Sequence, residues 1–302
     1  MHIPDGFLDT KTWVTAAAAS GIAITYAVRR ANSELEEKDP PLMGVLAAFI
    51  FAAQMLNFPV AGGTSGHFIG SALAAILLGP WKAMLVMLSV VSVQALLFGD
   101  GGITALGANI LNLAIIAPLA AHWAYGLLRR LSMPAGAFIA GLVSTVIAAL
   151  AVAVELSASG TIPLTLSMPI MVGWHLLIGI GEGIITAVTI GYVTRVRSDL
   201  VNDIAGLDWR SLIVLAGVVS FLALFLSPLA SSLPDGLERA AYDLGIIKKG
   251  TSLFTALIPD YAMPGVKSGW LATGIASLIG ISVTVLIGYG VAIITRRRSA
   301  GG

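Results

Sequence analysis

Long apolar runs that carry almost no charge constrain this chain more than any other feature. The runs at 135–158 and 269–295 contain a single charged residue between them, Glu155. About 20 apolar residues are enough to cross the hydrocarbon core of a bilayer as a helix. Over the whole chain only 11% of residues are charged, whereas soluble domains carry about a quarter. We therefore predict an all-α, polytopic protein of the cell membrane.

The apolar runs predict about nine transmembrane segments. They lie at 12–28, 42–58, 68–78, 81–98, 103–128, 135–158, 168–194, 212–226 and 269–295, of which 68–78 is too short to span alone. Arg29, Arg30, Arg129, Arg130 and the basic run at 296–298 fall at alternate ends of these segments. The positive-inside rule assigns those ends to the cytoplasm. We therefore expect the N-terminus outside and the C-terminus in the cytoplasm.

A polar stretch at 195–210 divides the chain into two predicted domains. Residues 1–204 carry seven of the segments, with short connections. Residues 205–302 carry two, joined by a long outer loop that contains the sequence Pro-Asp-Gly-Leu-Glu at 234–238. The second domain is therefore expected to be a two-helix unit with an extracytoplasmic loop.

The opening sequence Met-His-Ile-Pro-Asp-Gly-Phe-Leu is an unusual start for a membrane protein. The free amine of Met1, the amide nitrogen of His2 and the His2 ring can close adjacent five- and six-membered chelate rings around one metal ion. A nearly planar nitrogen set suits Ni(II) or Cu(II) better than zinc. We expect Met1 to be retained, because His2 is bulky, and expect no signal peptide, because a basic n-region is lacking. The alternative is that His2 is an accident of the start site.

A second imidazole can complete this set from the glycine-rich stretch at 60–67, which ends on His67. Irregular backbone is tolerated at membrane depth only where it is buried in protein or lines a cavity. We interpret His67 as the fourth nitrogen ligand, and an ordinary outer loop with a solvated histidine is the alternative. Ligating imidazoles usually donate their other N–H to a nearby acceptor. The candidates for supporting roles around the ligands are Asp5, Thr64, Ser65 and Asn109.

Glu182 lies near the middle of the run at 168–194, where an unpaired carboxylate is costly and a functional role is the default hypothesis. His175 lies two turns earlier on the same helix face, about 10 Å away by the helical rise. The two could form an ion or proton path. Alternatively, Glu182 is a buried, hydrogen-bonded residue whose neighbours Gly181 and Gly183 let helices approach closely.

Several classes of function are excluded by what the sequence lacks. There is no cysteine, which rules out thiolate metal sites and iron–sulfur clusters. No GxxxxGK[ST] phosphate loop and no HExxH zinc-hydrolase motif occur, so the chain is expected neither to hydrolyse ATP nor to be an enzyme. The net charge of +1 gives no reason to expect a nucleic-acid partner. We expect no bound cofactor.

The MHIPDGFL start, the TSGH sequence that ends on His67, and Asp235-Gly236 together resemble the substrate-specific membrane component of energy-coupling factor nickel/cobalt importers, the NikM/CbiM type. Residues up to about 200 look like the seven-helix M component, and those from about 205 like the small N component fused behind it. The resemblance implies that Met1, His2 and His67 hold the metal. It also implies two cytoplasmic ATPases and a transmembrane coupling protein as partners.

We therefore predict a subunit that binds Ni²⁺ or Co²⁺ with high affinity, as the transported substrate of an ATP-driven importer. Two alternatives stay open. One is a stand-alone secondary carrier or channel that uses Glu182 and His175 as its ion path. The other is a membrane metalloenzyme, which a planar four-nitrogen set without an obvious base argues against.

Overall fold

The computed structural model describes residues 1–130, 132–196, 231, 233–246 and 253–297, and helices dominate them. The helices are α1 (Thr10–Glu34), α2 (Asp39–Gln54), α3 (Ser71–Leu78), α4 (Pro80–Val93), α5 (Leu106–Asn109), α6 (Ala117–Leu128), α7 (Met133–Ala158), α8 (Leu164–Val196), α9 (Gly236–Asp243) and α10 (Gly269–Arg297). Two π-helical stretches, Gln94–Phe98 and Ile110–Ile116, extend α4 and join α5 to α6. The predicted segment at 212–226 lies outside the described residues.

Five helical stretches among the described residues are long and apolar enough to cross a membrane. They are Pro80–Phe98, Leu106–Leu128, Met133–Ala158, Leu164–Arg195 and Gly269–Arg296. The predicted segment at 12–28 forms most of α1, but its threonine, serine and glycine residues make it less apolar than these five. At 16 residues, α2 is shorter than a full span. The protein is a mostly helical, multi-pass membrane protein, while nine segments and the orientation of the termini stay predictions.

A two-stranded antiparallel hairpin interrupts the helices where the sequence predicts a transmembrane run to residue 58. In it, β1 (Asn57–Val60) pairs with β2 (Thr64–His67), so that the first residue of one strand faces the last of the other. Pro59 has no N–H and disfavours helical backbone in the residue before it. Gly62 and Gly63 take φ angles of 73° and 72°, which glycine adopts readily, and close the turn. The prediction that the segment at 42–58 runs without interruption is wrong, because its helix ends at Gln54 and a strand begins at Asn57, while the described residues as a whole are mostly helical.

The first eight residues fold back against the helices, and all of them except Pro4 and Gly6 are buried. Met1, Ile3 and Phe7 are 3%, 0% and 1% exposed. Burial of a large apolar side chain stabilises a fold by about 1.5–3 kcal/mol relative to leaving it exposed. Asp9 then caps α1 by accepting a hydrogen bond from the N–H of Thr12. These anchors hold the amino terminus in a fixed position.

Glycines allow the main helices to pack closely. A Cβ at Gly183 of α8 would lie 2.6 Å from the carbonyl oxygen of Phe138 in α7, and one at Gly288 of α10 would lie 3.1 Å from the Cβ of Ala47 in α2. Larger side chains at these positions would push the helices apart. The C-terminal region therefore packs against the N-terminal one through α10 and α2, and α9 also contacts α8 and β2.

Candidate metal centre

The amino group of Met1 lies between an imidazole and a carboxylate. Its nitrogen is 3.0 Å from Nε2 of His67 and 2.5 Å from Oδ2 of Asp235. The side chains of Met1 and Asp235 are 2% and 18% exposed, so the ion pair is largely buried. An ammonium group can only donate, so Nε2 of His67 accepts and the proton of the neutral ring is on Nδ1. Three distant parts of the chain thus meet at the amine.

The imidazole of His2 lies beside that of His67, with ring centroids 5.6 Å apart. Its Nδ1 is 3.0 Å from the main-chain oxygen of Asp100 and 3.3 Å from a carboxylate oxygen of the same residue. Its Nε2 is buried and has no hydrogen-bond partner among the described residues. The other carboxylate oxygen of Asp100 accepts a 2.5 Å hydrogen bond from the hydroxyl of Tyr261. His2 is therefore linked to the C-terminal region through Asp100.

The main chain next to His2 is held by the segment that follows α4. Asn109 accepts a hydrogen bond from the N–H of Ile3 at 2.8 Å and donates one to the carbonyl oxygen of Ile3 at 3.1 Å. The N–H of Gly102 donates to the same oxygen at 2.8 Å. Both polar groups of the Ile3 main chain are satisfied in this way. Asn109 therefore positions the backbone that carries His2.

Of the other three predicted supporting residues, Asp5 and Ser65 have hydrogen-bond partners away from the imidazoles. Asp5 accepts hydrogen bonds from the N–H and the hydroxyl of Thr104. Ser65 donates through its hydroxyl and its N–H to the two carbonyl oxygens of 233–234, at 2.6 and 2.8 Å. The Thr64 hydroxyl is buried without a partner in the described part of the chain. Asp5 thus secures the N-terminal segment, and Ser65 joins β2 to the segment before α9.

Burial and neighbouring charges set the protonation of the cluster. Burial lowers the pKa of His67 to about 3, and the terminal ammonium and His2 act in the same direction, so the ring is neutral at physiological pH. Burial by itself would raise the pKa of Asp235, but the ammonium and His67 hold that pKa well below its usual range. The pKa of Asp100 is also lowered, because the attraction of His2 and a tyrosine hydrogen bond outweigh burial. Two ionised carboxylates therefore flank the imidazoles.

Side chains alone do not form a metal site in this region. Across the described ranges, no three histidine, aspartate or glutamate side chains gather in ligating geometry. A metal ion at the amine would therefore need main-chain nitrogens, which residues 1 and 2 supply. The site borders a cleft of about 480 Å³, and residues lining that cleft include His2, His67, Asp100, Asp235 and Tyr261.

Sequence reasoning missed three residues of the cluster: Asp235, Asp100 and Tyr261. Asp235 is the N-cap of α9, where its Oδ1 accepts from the N–H groups of Leu237 and Glu238. An Asp followed three positions later by Glu is a readable capping signal, but it accounts for only one carboxylate oxygen. The second oxygen is the one that meets the amine. No sequence pattern predicts the contact of Asp100 with His2 or that of Tyr261 with Asp100.

Glu182 and His175 have separate hydrogen-bond partners. The carboxylate of Glu182 accepts from the N–H groups of Ile69 and Gly70, at 2.7 and 3.0 Å. Nδ1 of His175 is 2.7 Å from the carbonyl oxygen of Met171. Glu182 is therefore a buried, hydrogen-bonded residue, as the second of its two sequence interpretations expects. It secures the backbone just after His67.

Comparison with known proteins gives two family matches and several relatives. Residues 2–200 match the model described as "Cobalt uptake substrate-specific transmembrane region", and residues 209–297 match the PDGLE domain. A relative from Archaeoglobus fulgidus is 38% identical over 294 residues, covering 96% of this chain and 97% of its own. The fused nickel transport protein NikMN of Rhodobacter capsulatus is 31% identical over 348 residues, covering 98% and 99%. Among solved structures, a truncated transition metal transporter matches with a TM-score of 0.60 and 37% identity, covering 65% of this chain and 99% of its own.

Proposed function

This chain belongs to the cobalt uptake substrate-specific transmembrane family, and on that premise we propose that it is the substrate-binding subunit of an importer for Ni²⁺ or Co²⁺. Its relatives are named as nickel, cobalt or metal transport proteins, and the chain is a multi-pass membrane protein. The ion is the transported substrate and not a resident cofactor. Its high affinity and its coupling to ATP hydrolysis belong to the proposal.

The contact between the Met1 amine and Nε2 of His67 carries this proposal. At 3.0 Å these two nitrogens are close enough to bind one ion after a small movement. The His2 amide and ring nitrogens complete four nitrogen ligands, of which the amine and the amide must release protons. A divalent ion bound to a deprotonated amide has one net positive charge, the same as the ammonium it replaces. Asp235 therefore faces an equal charge before and after loading.

Loading also requires His2 to change its partner. Closing the six-membered chelate ring takes Nδ1, and in the structure this atom contacts the main-chain oxygen of Asp100. Metal binding would exchange that hydrogen bond for a metal bond. Asp100 would remain close because Tyr261 holds its carboxylate.

We propose the two-domain division at 1–204 and 205–302, with all the metal ligands in the first domain. The second supplies Asp235 to the amine and Tyr261 to Asp100. Its contribution is therefore to position and charge-balance the ligands. The boundary itself lies outside the described residues.

An external source of energy is part of the proposal, because the sequence lacks a phosphate loop. We propose energy-coupling factor ATPases and a transmembrane coupling protein as partners. The alternative function, a stand-alone carrier, requires Glu182 to be available to a passing ion. Since both of its oxygens accept main-chain hydrogen bonds, the geometry favours the importer subunit.

A titration with Ni(II), followed through its d–d absorption, tests the chelate. The protein carrying its purification tag at the C-terminus should bind one ion and develop the band of a square-planar nitrogen field. Placing the same tag before Met1 converts the amine into an amide and should abolish both the binding of Ni(II) and the square-planar absorption band. Tight binding with an unchanged band in the N-terminally extended protein would refute the ligand set.

A further inference from the structure

His175 lies next to the proposed metal centre, although it belongs to the membrane helix α8. Together with Met1, His67 and Asp235 it lines a small cavity of about 10 Å³. Its ring is almost completely buried, at 1% exposure. Buried polar groups are nearly always hydrogen-bonded, and the proposed chelate gives this imidazole no role.

Two nitrogens in the rings around this cavity have complementary hydrogen-bonding capacities. Because Nε2 of His67 accepts from the ammonium of Met1, its Nδ1 carries a proton to donate. Because Nδ1 of His175 donates to the carbonyl oxygen of Met171, Nε2 of the neutral ring has a lone pair to accept with. Both remaining nitrogens are buried and lack a protein partner within the described residues.

The cavity is the size of a single water molecule, since a site for one water needs about 10–15 Å³. A buried water typically makes about three hydrogen bonds. Here it can accept from Nδ1–H of His67 and donate to Nε2 of His175, and Asp235 is a third polar residue in the lining. Every group involved then has a partner of the correct type.

We propose that one buried water bridges Nδ1–H of His67 to Nε2 of His175 across this cavity, which makes His175 a positioning residue for the proposed metal ligand. The inference rests on the proposed function, because it assigns His67 to the metal. An acceptor on the far nitrogen of a ligating imidazole fixes its tautomer and orientation and raises its basicity. His175 would thus act on the ion through His67, without touching it.

Two glycines close the walls of the cavity against α8. A Cβ at Gly236 would lie 2.7 Å from Cε1 and 2.9 Å from Nε2 of His175, and a Cβ at Gly66 would lie 2.7 Å from Cγ2 of Ile178. Real side chains do not tolerate such distances without displacement of a neighbour. The close approach therefore keeps the space to the size of one water.

The variant His175→Phe tests the bridge, because it retains an aromatic ring and removes the accepting nitrogen. Ni(II) affinity should fall about 10–100-fold, as for the loss of other partners of ligating residues. The d–d band should move to longer wavelength, because His67 becomes a weaker donor. His175→Gln, whose amide oxygen can accept from the water, should recover part of both.

Thr186→Val is the matched control, since Thr186 is buried in the same helix and is absent from the cavity lining. It should bind Ni(II) with wild-type affinity and an unchanged band. A double-mutant cycle then distinguishes an effect of His175 that passes through His67 from one that does not. With His67→Ala in the background, His175→Phe should have no further effect on the residual affinity.

An equal loss in both backgrounds would overturn the bridge, because His175 would then act independently of His67. Unchanged affinity and band in His175→Phe alone would overturn it as well. If that variant does not fold, His175→Leu takes its place in the same cycle. Failure of the chelate itself would appear separately, as wild-type protein whose Ni(II) binding is insensitive to an extension before Met1.

Discussion

Replacing Asp235 with Asn removes the charge that faces the amine and leaves most other contacts intact. Oδ1 of Asp235 caps α9, while Oδ2 accepts from the ammonium of Met1. Asparagine is as good an N-cap as aspartate, but its amide has only one oxygen. If that oxygen keeps the cap, an NH₂ group faces the ammonium. The variant Asp235→Asn therefore tests the ion pair with the helix cap preserved.

The expected loss of stability is about 3 kcal/mol at neutral pH. Removing one partner of a buried ion pair costs about 3–5 kcal/mol, because the other charge stays buried. The lower end applies because the side chain of Asp235 is still 18% exposed. Since the folded-state pKa of this carboxyl is depressed, its contribution is present above the ordinary value of 3.8 and is lost as the pH falls below it. The difference between wild type and variant should therefore shrink progressively as the pH falls from 3.8 toward the depressed folded-state pKa.

Thermal unfolding of the purified metal-free protein, followed by tryptophan fluorescence in one detergent, measures this effect. The matched control is Asp243→Asn in the same helix. Asp243 pairs with Arg239 at 3.1 Å but is 32% exposed, and such surface pairs contribute about 0–1 kcal/mol. If Asp235→Asn unfolds together with the wild type, or if the control is equally damaging, the buried ion pair with Met1 is not the stabilising interaction.

The same substitution should change the free energy of Ni(II) binding less than it changes the free energy of unfolding. The ammonium and the proposed chelate of a divalent ion with an amide anion both present one net positive charge to Asp235. A residue that stabilises two states equally does not shift the equilibrium between them. We therefore expect the dissociation constant of Asp235→Asn for Ni(II) to stay within about tenfold of wild type. A much larger change would mean that Asp235 binds the ion itself.

Three further predictions concern the ligands and their supports. Ni(II) affinity should fall as the pH is lowered, because the amine and the amide must both release protons; titrations at successive pH values measure this, and a pH-independent affinity would contradict the amide ligand. Gly102→Ala should weaken Ni(II) binding and lower the unfolding temperature, because a Cβ at this position collides with the backbone and carboxylate of Asp5. Asn109→Leu leaves the buried N–H of Ile3 unsatisfied, at a cost of about 1–3 kcal/mol, while the Ile3 carbonyl keeps its hydrogen bond from Gly102; the same two measurements should show the loss.

Contacts that depend on neighbouring residues could be predicted from the sequence. The proposed chelate of Met1 with His2 needs only their adjacency and stays a prediction, while the membrane helices follow from length and hydrophobicity. The hairpin escapes prediction although Pro59 and two glycines signal it, because hydrophobicity extends the apolar run as helix through residue 58. Helix ends near a proline depend on which hydrogen bonds remain possible, which a hydrophobicity count does not register.

Contacts between distant parts of the chain could not be predicted in the same way. Met1 and Asp235 are 234 positions apart, and the local sequence already accounts for Asp235 as a helix cap. Asp100, which contacts His2, lies in a glycine-rich loop whose sequence does not differ from that of an ordinary connection between helices. A single residue can satisfy a local pattern with one oxygen and a tertiary contact with the other, and only the fold reveals the second.

The contact between Met1 and Asp235 gives a physical reason for joining two regions that match separate family models. A flexible amino terminus loses conformational freedom when it binds an ion, and this loss weakens affinity. The carboxylate of Asp235 and the buried side chains of Ile3 and Phe7 impose that order before the ion arrives. Because the charge at the amine is the same before and after proposed loading, the carboxylate can hold the terminus in both states. The second region is therefore expected to hold the terminus in place with and without the ion, with at most about a tenfold effect on affinity, while contributing no ligand of its own.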